Sequence, residues 1–129
     1  MNGKENPMQG FRELLVWQKA MELVVEIYRI TSQFPKNEIY GLSNQMQRAA
    51  VSVPSNIAEG YSLKKTKAYL RHLSISCGSL AELETQLEIS ARLKYLQPED
   101  QGVISKAQEI GRMLSGLRSS LQAKLNPKS

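Results

Sequence analysis

The chain has 129 residues, of which 41% are apolar, 22% charged and 6% aromatic, with a formal net charge of +5. That length suits one domain with a real core, and the balance is ordinary for a soluble globular protein. It excludes a membrane-spanning chain, since no apolar run approaches the roughly 18–20 residues a bilayer requires.

Sparse aromatics with abundant Leu, Ala, Ser, Gln and Glu favour helix over sheet. Residues 1–10, with Gly3, Pro7 and Gly10, read as a flexible tail, residues 11–125 as one bundle, and 126–129 as a second tail. From Leu14 to Ser32 the apolar positions recur at helical spacing, and Pro35 forces the chain out of the helix. Leu42, Met46, Ala49, Val53 and Ile57 then step by four, three, four and four, one face of a second helix. The face passes Pro54 without changing phase, so the spacing predicts one helix bent at Pro54. Its proline costs about 3 kcal/mol against alanine, which tertiary structure must offset. Gly60 is expected as its C-terminal cap.

Thr66 is the expected N-cap of a third helix over about 67–95, striped by Tyr69, Leu73, Leu80, Leu87 and Ala91. Pro98 is expected in the first turn of a fourth helix, with Glu99 and Asp100 at its positive end. Val103, Ala107, Ile110, Leu114, Leu117, Leu121 and Leu125 form a near-heptad seam. Four amphipathic helices with short connections predict an all-α, antiparallel up-down four-helix bundle. A long coiled-coil hairpin is the runner-up, disfavoured by the regular breaks at Pro35, Gly60 and Pro98.

The first helix is apolar over an arc of roughly 220°, about twice what a peripheral bundle helix needs. The surplus, including Trp17, Leu23 and Ile27, predicts burial by self-association. Loops or termini covering the excess are the alternative.

The second helix sets Arg48, Ser52, Ser55 and Glu59 opposite its apolar face, with Asn56 on the flank. This is either a solvated face or a tight helix contact with a few fixed polar bonds. The small residues Ala49, Ala50, Ser52, Ser55 and Ala58 favour the contact. On the third helix Glu84 falls among Leu80, Leu83 and Leu87. Burial there requires a partner, for which Arg48, Gln45 and Asn56 are candidates; exposure and a catalytic role are the alternatives.

His72 is the only histidine and Cys77 the only cysteine. They lie five apart, off any shared helical face, and are expected at the surface and facing the core respectively. No phosphate loop, metal-ligand cluster or nucleophile elbow is legible. No enzyme, metal or cofactor is therefore expected. A lone cysteine excludes an intrachain disulfide and suits a reducing compartment. The opening MNGKENPMQG lacks the apolar core of a signal peptide, so the expected location is cytoplasmic.

Charge is uneven. Residues 42–78 carry Arg48, Lys64, Lys65, Lys67 and Arg71 against Glu59, and 101–129 carry five basic residues against Glu109. Residues 79–100 are acidic. Lys64, Lys65, Lys67 and Arg71, with Tyr61 and Tyr69 beside them, are the candidate nucleic-acid contacts: lysines for phosphates, tyrosines to stack on bases.

Three segments carry a family resemblance: FRELLVWQKA at 11–20, FPKNEIYGLSNQMQRAAVSVPSNIAEG at 34–60 and GSLAELETQL at 78–87. They resemble the four-helix-bundle family encoded in 23S rRNA intervening sequences. The fourth helix matches only in pattern. Val53 stands where the family usually has Ile, and YSLKKTKAYL replaces its Arg-rich, Phe-containing continuation. The resemblance implies an up-down bundle, a homopentamer with a central channel, and no established enzymatic activity. It also implies a structural role for Arg48, Asn56 and Glu59. The chain is similar, too, to the accessory protein of diversity-generating retroelements, which implies a reverse transcriptase or other ribonucleoprotein as partner. The expected function is a non-enzymatic, homo-oligomeric basic bundle that binds RNA or DNA. A protein-binding adaptor without nucleic-acid contact is the alternative.

Overall fold

The computed structural model describes residues 10–125; the tails expected at 1–9 and 126–129 lie outside the described residues. Gly10 opens a short 3-10 turn, Gly10–Glu13. Four helices follow: α1 (Leu15–Thr31), α2 (Leu42–Ser62), α3 (Thr66–Arg92) and α4 (Gly102–Leu125). Each packs on the next and α4 returns to α1, with α2 on α3 the most extensive pairing. This is the expected all-α four-helix fold.

The apolar stripes meet along the axis. Leu23, Ile27, Ile30, Met46, Val53, Ile57, Leu73, Leu80, Leu83, Leu87, Ile110 and Leu114 are almost wholly withdrawn from solvent. Each contributes about 1.5–3 kcal/mol relative to exposure. Val103, Ala107 and Leu121 of the α4 seam are buried too. α2 runs unbroken through buried Pro54.

The wide apolar arc of α1 divides within one chain. Leu23 and Ile27 are buried by the subunit itself. Trp17 is half-buried, its ring 5.3 Å from Phe11 of the 3-10 turn. Met21, Val25 and Tyr28, spaced by four and three, stay exposed. The apolar surface left exposed on α1 is thus this narrow stripe and Leu15, smaller than the arc predicted.

Several ends differ from expectation. Gly60 is no cap: it lies buried inside α2, on the face that carries Val53 and Ile57. A methyl group there would come within 2.7 Å of His72 Cβ and 3.3 Å of Tyr69 Cα, so glycine serves the close approach of α3. Thr66 is the first helical residue of α3, after Lys65, and no side chain caps that end. α3 stops at Arg92 because Lys94 turns left-handed (φ 63°). The Tyr95 and Lys94 amides then return to the Ser90 and Ala91 carbonyls at 2.9 and 3.0 Å, a Schellman end with lysine where glycine is usual. Tyr95 leaves the helix to pack on Phe34 (5.1 Å) and to donate to Glu38 Oε2 (2.9 Å). That bond holds its phenol pKa above the ordinary value. The other Glu38 oxygen accepts the Leu42 amide at the start of α2, at 3.2 Å.

Pro98 opens a separate 3-10 turn, Pro98–Asp100, ahead of α4. Asp100 is only 2% exposed. It accepts the Gln97 amide at 3.0 Å and pairs with Arg29 of α1 at 3.1 Å. It is a buried staple between α1 and this turn. Hydrogen bonds that Arg29 donates to Glu26 and then to Asp100 hold its guanidinium above the ordinary pKa.

Candidate nucleic-acid interface

Ser52 and Asn56 of α2 face α3 and take part in a lattice of bonds. Asn56 Nδ2 donates to Ser52 O and Oγ at 3.0 and 3.1 Å. Asn56 Oδ1 lies 2.9 Å from His72 Nδ1 and accepts from it in the tautomer that carries its proton there. Ser79 Oγ donates to Ser52 Oγ at 2.7 Å, and buried Ser76 donates to Val53 O at 2.8 Å. Glu59 Oε2 lies 3.9 Å from His72 Nε2.

His72 is therefore not the surface residue the sequence suggested: its side chain is 13% exposed and bridges the helices. Cys77 is half-buried on the α3 flank, its Sγ 3.9 Å from Arg118 Nη1. Arg48, Asn56 and Glu59, for which the resemblance implies a structural role, do not stay together. Asn56 and Glu59 gather at His72, while Arg48 stays exposed. Glu84 pairs with none of Arg48, Gln45 or Asn56. It lies half-buried on the α4 side of α3, its Oε2 4.0 Å from where a Gly111 Cβ would stand. One residue's step, about 100°, carries it off the stripe of Leu83. The polar side chains actually buried on α3 are Ser76, Gln86 and Ser90. The lattice ties α2 to α3. Among the described residues no three His, Cys, Asp or Glu side chains converge as metal ligands.

The up-down course brings the start of α1, the end of α2, the start of α3 and the end of α4 to one end of the bundle. There lies a cleft of about 710 Å³, lined by Phe11, Tyr61, Lys64, Lys65, Thr66, Tyr69, Leu121 and Lys124, with Gly10 and Ser62. α2 ends with Lys64 left-handed (φ 58°), its amide bonded to Tyr61 O at 3.3 Å. That reversal takes three residues, 63–65. Tyr61 and Tyr69 meet edge to face at 5.8 Å. The Tyr69 hydroxyl is buried without a partner. Burial, and then the neighbouring Tyr61, push its pKa up to about 12.

Of the six residues predicted to contact nucleic acid, Tyr61, Lys64, Lys65 and Tyr69 line this cleft. Lys67 and Arg71 are exposed on α3 but outside it. Sequence reasoning missed Phe11 and Lys124. Their signal was topological: an up-down bundle places both beside the α2–α3 connection. Among the described residues no helix is long and apolar enough to cross a membrane.

Residues 12–116 match the model of a family described as 23S rRNA-intervening sequence protein. The chain is also similar to a crystal structure of a protein with unknown function from the S23 ribosomal protein family of Bacteroides thetaiotaomicron VPI-5482. The TM-score is 0.74, covering 81% of this chain and 96% of that one at 22% identity. That likeness bears on the fold. Among curated proteins none matches.

Proposed function

This chain belongs to the 23S rRNA-intervening sequence protein family, and from that premise we propose that it is a non-enzymatic, basic four-helix bundle that binds nucleic acid, RNA above all, as a homo-oligomer. The observation that carries the reading is the cleft, where Lys64, Lys65 and Lys124 converge from three helix ends beside Tyr61 and Tyr69. Cations beside rings are what strand binding uses. Self-association is supported by the exposed stripe Met21, Val25 and Tyr28 on α1, with exposed Val51 on α2. Tyr28 and Val51 border one shallow groove. In an oligomer, a pentamer by family resemblance, each cleft is repeated, so weak single contacts add through effective concentration.

The test is retention on RNA across a salt series. Affinity falls with salt, and a Lys64→Glu/Lys65→Glu/Lys124→Glu variant binds more weakly. The variant's log–log slope is shallower by about 2, since each lost phosphate contact removes about 0.7 for single strands. Binding indifferent to salt and to those changes would overturn the reading. Light scattering tests assembly: a monomer at micromolar concentration would overturn that part.

The second reading is a protein-binding adaptor, such as a reverse-transcriptase accessory, without direct nucleic-acid contact. What favours it is the same exposed stripe, which a different protein covers as readily as a second copy.

A further inference from the structure

We propose that the cleft accepts an unpaired nucleotide of a single RNA strand, with its base against the aromatic wall and its phosphates on the lysine rim, and that it does not accept a duplex. This rests on the nucleic-acid reading above and adds the form of the ligand.

The lining carries the argument. A duplex hides its base faces within the stack and offers chiefly phosphates, for which an exposed lysine patch suffices. Here the lysines rim a concave site walled by Phe11, Tyr61, Tyr69 and Leu121. Such a wall gains from a ligand only by covering a flat apolar face, and an unstacked base supplies one beside its phosphate. The volume agrees: about 710 Å³ falls within the roughly 300–1,000 Å³ of small-ligand sites.

The fold also assembles this wall from distant parts. Gly60 lets the first turns of α3 approach α2 until Tyr69 Cα is 3.3 Å from where a Gly60 Cβ would stand. That seats Tyr69 against Tyr61 at 5.8 Å. Phe11 comes from the 3-10 turn and is held from behind by Trp17 at 5.3 Å. Arg12 lies over the Phe11 ring at 4.7 Å. Rings fixed in this way lose little freedom when a base covers them.

The experiment titrates the full chain with a single-stranded RNA octamer, the same octamer in a duplex, and uridine monophosphate. Trp17, the only tryptophan, reports from behind the cleft wall by fluorescence, and anisotropy of labelled RNA gives affinity. The octamer is expected to bind at least tenfold tighter than the duplex and to change Trp17 emission. Tyr61→Leu, which keeps apolar bulk, weakens octamer binding about tenfold and leaves duplex binding unchanged, as expected for one lost base stack. Tyr61→Phe retains the preference, which separates loss of stacking from loss of folding. Lys124→Glu weakens both RNAs. Equal affinity for octamer and duplex, or a single-strand preference surviving both Tyr61→Leu and Phe11→Leu, overturns the inference. Salt-dependent binding would then still uphold nucleic-acid recognition. Uridine monophosphate displacing the octamer at equal concentration overturns the strand claim in favour of a free-nucleotide site. No binding of any RNA at low salt overturns both proposals.

Discussion

The α2–α3 seam and the α1–α4 seam close the same bundle with different materials. Between α2 and α3 the side chains are small. Gly60 admits the backbone of α3, and Ser52, Asn56, His72, Ser76 and Ser79 knit the two helices with bonds of 2.7–2.9 Å. Between α1 and α4 the helices approach closely along a much shorter stretch. There, charged side chains reach across the rim: Lys106 to Glu22 at 3.3 Å and, from the turn just ahead of α4, Asp100 to Arg29 at 3.1 Å. Bonds between short, part-buried groups fix distance and register. Exposed ion pairs hold two surfaces together without fixing either, since solvent and salt compete for both partners.

Three substitutions test that contrast, and the first is the most damaging. Gly60→Val puts branched carbon within 2.7 Å of His72 and against the Tyr69 backbone. We expect a loss of about 3 kcal/mol, read as a lower urea midpoint at unchanged m-value. A variant as stable as the parent would dissolve the contrast. Asp100→Ala follows at about 2 kcal/mol. It removes the bond to the Gln97 amide and strands Arg29 with Glu26 alone. This pair is the exception on its seam because its carboxylate is buried, and thermal unfolding sharpens the point: the loss persists in high salt. Glu22→Gln comes last, within about 0.5 kcal/mol, and its effect vanishes as salt rises. A larger, salt-resistant loss would make the α1–α4 rim as structural as the seam opposite.

How much of this was legible depends on range. Helix number, order and buried faces follow from spacing, and each stripe named from the sequence meets the core. Gly60 was misread because glycine after a polar run serves either as a cap or as a gap. The deciding signal was available: Gly60 is three residues beyond Ile57 and seven beyond Val53, on the buried face. Asn56 and His72 are sixteen residues apart and on different helices, so their bond had no local signature. Glu84 was misplaced by a single step of the helical wheel, the margin at which periodicity stops resolving flank from stripe. Lys94 and Lys64 adopt left-handed turns without glycine, and nothing in their local sequence marks them. The cleft was half visible. Its α2–α3 lysines are a run in sequence, while Phe11 and Lys124 join only when the bundle closes.

The closing of the bundle has a practical corollary for anyone handling this protein. The described chain enters at Gly10 and runs out just past Lys124, and both residues belong to the lip of the cleft. A bulky label placed at Gly10 or Lys124 therefore stands at the opening itself. Exposed positions midway along α3, such as Ser74 and Ala81, lie away from that door.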